Sequence, residues 1–420
     1  MTPQIKQRIE QIQRGEVPER YEKTTAGIIP STWHTFSLGD LYTERKESGI
    51  PSLPILTVSI HSGVSDGALD DDEIGKKVKR IEDKTQYRTA RSGDVVFNMM
   101  RAWQGAIGVV RQDGLVSPAY IVATPNEAVY PPFMDYCLKT PQMINRLHRK
   151  SYGVTDFRLR LYWDSFAKVD CVLPPFAEQK KIAEILSAQD KLIVSKEKLI
   201  EEKKRQKKAL MQQLLTGKKR LPGFSGEWKK QKMSDILCER KEENKDQSLR
   251  ICSVAVNSGV VDQREHLGKS MAASDTSNYN VVHYGDIVYT KSPTGAFPYG
   301  IVKQSQLTEN VAVSPLYGVY EPTSYEIGYL LNEYFMYSNN ANGYLLPIIN
   351  KGAKNTINIS NATFITPSLY LPIDYEEIKK LVQIFKIANK EIEILRKDLD
   401  QEKQKKKALM QLLLTGIVRV

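Results

Sequence analysis

Between Glu178 and Leu215 the chain runs without a proline or glycine, and apolar residues return at every seventh position. Leu186, Ile193 and Ile200 form one series; Ile185, Leu192 and Leu199 form another, with Lys and Glu between them. Further on, Phe385, Ile392 and Leu399 repeat the spacing, with Ala388 and Leu395 interleaved. Such a period predicts long helices with a coiled-coil seam. Leu173-Pro174-Pro175 and Leu371-Pro372 announce the two helices, and Thr216-Gly217 and Thr415-Gly416 end them. Glycine suits the left-handed residue that follows a helix. About 38 residues at roughly 1.5 Å each give a rod of about 57 Å. The first rod leads from one globular stretch to the next and the second most simply returns, so the pair is expected to be antiparallel. A short helix over residues 4–14, with Ile5, Ile9 and Ile12 on one face, could complete the pair where the chain begins and ends.

The stretches between the rods are two copies of one pattern. Trp33, Asp40-Leu41 and Glu44-Arg45-Lys46-Glu47 return as Trp228, Asp235-Ile236 and Glu239-Arg240-Lys241-Glu242. Gly93-Asp94-Val95-Val96-Phe97 returns as Gly285-Asp286-Ile287-Val288-Tyr289, and Val116-Ser117-Pro118 as Val313-Ser314-Pro315. Even the tails repeat, Lys208-Ala209-Leu210-Met211-Gln212 as Lys407-Ala408-Leu409-Met410-Gln411. A period near half the chain is too long for a solenoid and means two similar domains. The β-branched runs Leu53–Ile60, Asp94–Phe97, Ala106–Val110 and Tyr279–Val282 read as short strands. The expected fold is α+β. Two similar mixed α/β domains are separated by two long helices forming an antiparallel coiled coil, in a pseudo-twofold, circular arrangement. The expected boundaries are residues 1–30 for a helix and lead-in, 31–172 for the first domain and 173–217 for the first rod. The linker and second domain follow over 218–370, and the second rod over 371–420.

Charge adds a direction. The net charge is +11. Residues 171–227 carry +6 of it and residues 371–420 carry +3, so the surplus lies on the rods. A basic balance favours nucleic acid as a partner. No run of about 18 apolar residues could span a membrane, and residues 1–6 lack the apolar core of a signal peptide. Cys137, Cys171, Cys238 and Cys252 have no metal-type spacing and read as reduced core residues of a cytoplasmic protein.

Catalytic patterns are incomplete. Tyr130-Pro131-Pro132-Phe133 and Leu173-Pro174-Pro175-Phe176 lack the polar first residue with which an amino-methyltransferase holds its target. Gly268-Lys269-Ser270 has the end of a phosphate-binding loop, but Gln263 stands where its first glycine belongs. Glu82-Asp83-Lys84 has the acidic form of a metal nuclease centre, a tripeptide common by chance. The five histidines pair with no Cys or carboxylate at ligand spacing. The chain reads as one that binds and does not catalyse, with no metal.

Phe97-Asn98-Met99-Met100-Arg101-Ala102-Trp103-Gln104-Gly105-Ala106-Ile107-Gly108-Val109, followed by Leu115–Tyr120, resembles a target recognition domain. Leu173–Ile182 and Gln213–Gly217 with Arg220–Phe224 resemble the borders of a conserved helix. Through these stretches the chain resembles the specificity subunit of Type I restriction-modification enzymes over nearly its whole length. Leu371–Ile378 departs from the pattern, lacking the second Pro and the Glu-Gln pair. The resemblance implies that each domain reads one half of a split target in double-stranded DNA. The rods would set the gap and dock two modification subunits, with Pro174, Pro175, Phe176, Glu178 and Gln179 at the first contact. It also implies that no cofactor belongs to this chain. S-adenosylmethionine, ATP and Mg would sit on the modification and restriction subunits of an adenine methyltransferase and ATP-dependent nuclease.

Base reading needs paired donors and acceptors, and phosphate holding needs cations or hydroxyls. Arg101, Trp103 and Gln104 follow a strand and precede a glycine, which suits a reading loop. Trp103 is open between a core anchor and a base contact. The matching loop in the second domain offers Lys291, Ser292 and Thr294. Ahead of each rod lies a basic glycine turn. Lys150, Tyr152, Thr155 and Arg158 mark the first, and Lys351, Lys354 and Asn355 the second. The competing readings are a single-chain restriction or methyltransferase enzyme with an unrecognised centre, and a coiled-coil scaffold without DNA contact.

Overall fold

The structure is a computed structural model. It describes residues 3–25, 27–60, 63–65, 81–155, 158–217, 219–267, 274–351 and 357–420, with the side chains of 266, 267, 350, 351, 357 and 358 left aside. Two compact units emerge, each taking part of both long helices: residues 1–196 with 398–420, and residues 197–397.

The first unit is built on a four-stranded antiparallel sheet in the order Tyr42–Arg45, Tyr120–Pro125, Val95–Asn98, Ile107–Val109. Its inner strand Val95–Asn98 opens with three buried apolar residues because both faces are covered. Val95 and Phe97 face a core shared with Phe133, Leu147, Phe166 and the helix residues Ile182 and Leu186. Val96 faces the other way, into a smaller core with Leu56, Val58, Val64, Ala90 and Val116. His34–Ser37 pairs with Asp170–Leu173, tying the start of the domain to the residues just before the helix.

The second unit repeats the plan. Its sheet runs Leu237–Glu239, Gly318–Pro322, Ile287–Thr290, Ile301–Gln304. Ile287 and Tyr289 face the larger core and Val288 the smaller. Lys229–Lys232 pairs with Ser368–Leu371 as the closing ribbon. Of the run Leu53–Ile60 only Val58–Ser59 pairs as a strand, with Gly63–Val64; its counterpart Cys252–Ala255 is longer. Cys137, Cys171 and Cys252 are buried free thiols, but Cys238 is exposed, because its side chain falls on the outward face of an edge strand.

The repeated Glu-Arg-Lys-Glu and Gly-Asp signatures are two halves of one interaction. The Arg45 guanidinium donates to buried Asp94 at 2.7 and 3.3 Å, and the Arg91 N–H donates to the same carboxylate at 2.8 Å. Arg240 does the same to Asp286 at 2.7 and 3.1 Å, joined by the His283 N–H at 2.8 Å. Each pair reaches across a sheet whose strands are distant in sequence.

Phe176–Leu214 and Tyr375–Leu413 are single helices of 39 residues each. Within the first unit Gln189 donates to Glu402 at 2.6 Å, Lys196 pairs with Asp398, and Lys406 with Asp190 at 2.5 Å. Rising numbers on one helix meet falling numbers on the other, so the pairing is antiparallel. In the second unit Lys203 meets Glu391 at 2.6 Å in the same sense. Leu186, Ile193, Ile200, Phe385 and Ile392 are buried, Leu186 and Phe385 within the larger cores of their units, and Leu399 is half-buried. The parallel series Ile185, Leu192 and Leu199 is exposed instead. One 3.5-residue seam fits only one of two adjacent sevenfold series.

Pro3–Gln13 forms the N-terminal helix. Ile5, Ile9 and Ile12 are half-buried on it. It meets the end of the second long helix, where Arg8 donates to the Ile417 carbonyl at 2.8 Å and Tyr21 to that of Gly416 at 2.7 Å.

Replacing Asp94 by Ala strands the Arg45 guanidinium in a half-buried site. The expected cost is about 2–3 kcal/mol, below the full penalty of breaking a wholly buried pair because Arg45 retains some solvent. Chemical denaturation of the chain measures it, and a loss under about 0.5 kcal/mol would make the pair incidental.

Candidate nucleic-acid interface

In the first domain the strand Val95–Asn98 ends in a turn held by Asn98, whose side chain accepts from the Met100 N–H at 3.0 Å. A short 3-10 turn, Ala102–Gln104, follows and closes at Gly105. Trp103 is half-buried: its indole N–H donates to the Met100 carbonyl at 3.0 Å and its ring rests on His148, centroids 5.5 Å apart. It packs the loop against the helix Pro141–Lys150, while Arg101 and Gln104 beside it are exposed.

That helix buries Met143 and Leu147 and carries His148, Arg149 and Lys150 in its last turn. Cations are favoured there by the carbonyl end of the helix. A bridge between Tyr152 and Arg160 follows, their backbones bonded at 3.0 and 2.9 Å. The Leu161 N–H donates to the Met99 carbonyl at 2.9 Å. That bond fastens the basic turn to the loop that carries Arg101 and Gln104, so the two clusters, about 50 residues apart in sequence, lie side by side. Lys150, Tyr152, Thr155 and Arg158 are exposed, and the Tyr152 ring lies against Tyr162 at 5.2 Å.

Charge pairing separates this face from the rest of the domain. Arg45, Arg88, Arg91 and Arg111 each lie within 4.0 Å of a carboxylate. Among the described residues no carboxylate pairs with Arg101, Arg149, Lys150, Arg158 or Arg160. Five cations with no carboxylate partner among the described residues suit a polyanion.

The second domain keeps the framework and changes the chemistry. Its loop after Ile287–Thr290 carries Lys291, half-buried, with Ser292 and Thr294 exposed. Burial lowers the Lys291 pKa, and Glu239 opposes the shift. Thr294 and Phe297 bridge the loop, and Asn342 donates to the Ala296 carbonyl at 3.3 Å from the neighbouring helix. Asn350–Lys351 pairs by backbone with Ile357–Asn358, as Tyr152 does with Arg160. The Lys351 side chain, Lys354 and Asn355 lie outside the described residues.

The remaining candidates resolve differently. Gly268-Lys269-Ser270 lies outside the described residues. Asp83 caps a turn, accepting from the Thr85 N–H at 3.0 Å, and Lys84 donates to the Pro51 carbonyl at 2.9 Å. At the head of the first long helix, Pro175 and Phe176 are exposed, but Pro174, Glu178 and Gln179 face inward. Gln179 accepts from the Tyr130 N–H at 2.8 Å and donates to the carbonyls of Ala128 and Pro174 at 2.9 and 3.0 Å. Glu178 accepts from the Trp33 indole at 3.1 Å and from Arg419 at 2.5 and 2.7 Å. Its counterpart in the second unit is Glu377, which accepts from Trp228 at 3.2 Å and from Arg220 at 2.9 and 2.7 Å. The glutamate missing from the second helix as read by sequence is therefore present, with Ile378 replacing the glutamine. Asp374 caps that helix where the first has Pro175, accepting from the Glu376 N–H at 2.9 Å.

No family model matches the sequence. Over 216 residues it is 26% identical to the MjaX specificity subunit of a type I restriction enzyme from Methanocaldococcus jannaschii, a match covering 47% of this chain and 49% of that protein. The chain thus spans about half the length of the curated relative it matches. The Type-I restriction-modification system S subunit from M. genitalium superposes with a TM-score of 0.54 at 11% identity, over 91% of this chain and 96% of that one. The fold is that of a Type I specificity subunit. A chain solved to explain complex assembly and conformational transition of the type I R-M system agrees, with a TM-score of 0.53 at 16% identity over 93% of this chain and 99% of its own. Among the described residues of this specificity-subunit fold, no helix is long and apolar enough to cross a membrane.

Gln179→Ala leaves one N–H and two carbonyls unpaired in a buried site, so it should cost the isolated chain about 1–3 kcal/mol. Phe176→Ala, at a half-exposed side chain, should cost distinctly less. Denaturant unfolding of both variants decides, and the reverse order would place Gln179 on an outward-facing surface.

Proposed function

We propose that this chain is the DNA sequence-specificity subunit of a Type I restriction-modification complex, each domain reading one half of a bipartite target in double-stranded DNA. The observation that carries the reading is the unpaired basic face of the first domain, where Arg101 and Gln104 stand beside Lys150, Thr155 and Arg158. Arg101 suits the two acceptors of guanine and Gln104 the paired acceptor and donor of adenine, while Lys150 and Arg158 suit phosphates. Trp103 positions the loop and does not read. Lys291, Ser292, Thr294, Lys351, Lys354 and Asn355 would do the equivalent work on the other half-site, with different chemistry for a different sequence.

The long helices set the spacing and dock two modification subunits. Exposed Pro175 and Phe176, and the exposed apolar line Ile185, Leu192 and Leu199, support a partner surface on the first helix. S-adenosylmethionine, ATP and Mg belong to the modification and restriction subunits, and adenine methylation and ATP-dependent cleavage to the assembled complex. The chain itself supplies recognition, in the cytoplasm.

Single substitutions in the chain assembled with its modification partner test this reading. Arg101→Ala should relax selectivity at one position of one half-site, costing about 1–3 kcal/mol there. Lys150→Ala and Arg158→Ala should each weaken binding to any sequence and lower the salt dependence by about one unit of slope. Selectivity lost in both half-sites after Arg101→Ala, or salt dependence unchanged by both lysine and arginine changes, would remove the reading.

A further inference from the structure

The duplicated units share one set of positions, so a place where both members of a contact change together is informative. One lies where each domain's helix meets the long helices. In the first unit the Tyr136 hydroxyl donates to Asp190 on the first long helix at 2.7 Å. Lys406 on the second long helix pairs with the same carboxylate at 2.5 Å and lies over the Tyr136 ring, 5.6 Å from its centroid. The matched positions of the other unit follow from the tails, where Lys406 corresponds to Lys207 and Asp190 to Asn389. The domain strands ending at Pro125 and Pro322 place Glu333 at the position of Tyr136.

There the charge has changed sides. Glu333 stands on the domain, and Asn389 on the long helix donates to it at 2.8 Å. Asn389 also reaches the Tyr329 hydroxyl at 2.8 Å. Lys207 pairs with Glu333 at 2.7 Å, both side chains nearly dry at 6% and 1% exposure. Sheet register sets Lys303 of the second domain, buried beside Glu333, where the first domain has Gly108. Burial pulls the Lys303 pKa down to about 8, with Glu333 opposing. In each unit one carboxylate answers the helix lysine, supplied by the long helix in the first unit and by the domain in the second, where Lys303 lies beside it as well.

We propose that this contact is an identity key: Tyr136 fits only the helix pair that carries Asp190 and Lys406, and Glu333 only the pair that carries Asn389 and Lys207. A domain moved to the other place meets the wrong partner. In the moved domain Lys303 would accompany Glu333 to Asp190, whereas Tyr136→Glu alone sets two carboxylates around Lys406. A tyrosine in place of Glu333 would leave Lys207 buried without a counter-charge, the costly half of a broken pair. The two domains are therefore not interchangeable between the two places in the chain, whatever DNA each reads. These residues position the domain and touch no DNA.

The test uses the full chain and its thermal midpoint. Tyr136→Glu and Glu333→Tyr should each lower the midpoint by at least about 5 °C, as expected for an uncompensated buried charge. Adding Asp190→Asn to the first and Asn389→Asp to the second should restore most of the loss, although Asp190→Asn alone lowers the midpoint. Where Tyr136→Glu fails to fold, refolding on addition of Asp190→Asn carries the same weight. Tyr136→Phe and Glu333→Gln, which remove the hydroxyl or the charge without changing shape, should show the same coupling at smaller size. Double variants no more stable than the sum of their single changes would overturn the key.

Discussion

A buried carboxylate at the head of each long helix is the interaction on which the architecture depends. Glu178 is held by Trp33 from the start of the first domain and by Arg419 from beyond the end of the other helix. Glu377 is held by Trp228 and Arg220 in the same way. A carboxylate in the first turn is favoured by the helix N-terminus, and a buried one needs every lone pair answered. Glu178 therefore fixes three segments far apart in sequence, and Glu377 fixes its helix to the single stretch that holds Arg220 and Trp228. Gly416 and Gly217, at φ 73 and 69, let the chain turn back to deliver the arginine. At Gly416 a Cβ would stand 2.6 Å from Pro30, so only glycine fits. With the helix heads fixed, the seam residues and the domain sheets fall into place.

Much of this was legible because it repeats. The doubled Trp, Glu-Arg-Lys-Glu, Gly-Asp and Thr-Gly signatures pointed to two like domains, and each has a physical role in the clamp or the Arg–Asp pair. The sevenfold spacing located both helices. It offered two series on the first helix, and only packing against the partner distinguishes buried Leu186, Ile193 and Ile200 from exposed Ile185, Leu192 and Leu199. Glu377 was missed because its neighbours Pro175 and Gln179 have become Asp374 and Ile378, and because its role is set by Trp228, 149 residues away. Gln179, expected at the first partner contact, is a buried junction, as its bonds lie with a loop at residues 128–130. Cys238 read as a core thiol with the other cysteines, whereas its exposure follows from alternation at a sheet edge.

The candidate site was legible as two separate clusters and not as one face. No spacing rule brings residue 101 beside residue 150; the Leu161 to Met99 bond and the Trp103–His148 contact do. Trp103 reads as packing once its ring is seen against the helix. That no described carboxylate pairs with these cations is likewise read from the structure, since the overall composition places the basic surplus on the long helices. The domain thus spends Arg45, Arg88, Arg91 and Arg111 on carboxylates and leaves a group of other basic residues facing solvent.

The central claim is that two similar domains read two different half-sites held apart by the helices. Sequencing adenine methylation in cells expressing this chain with its modification partner measures it directly. The account predicts a methylated motif in two specified parts separated by a gap of fixed length and free sequence. A single uninterrupted motif would contradict it.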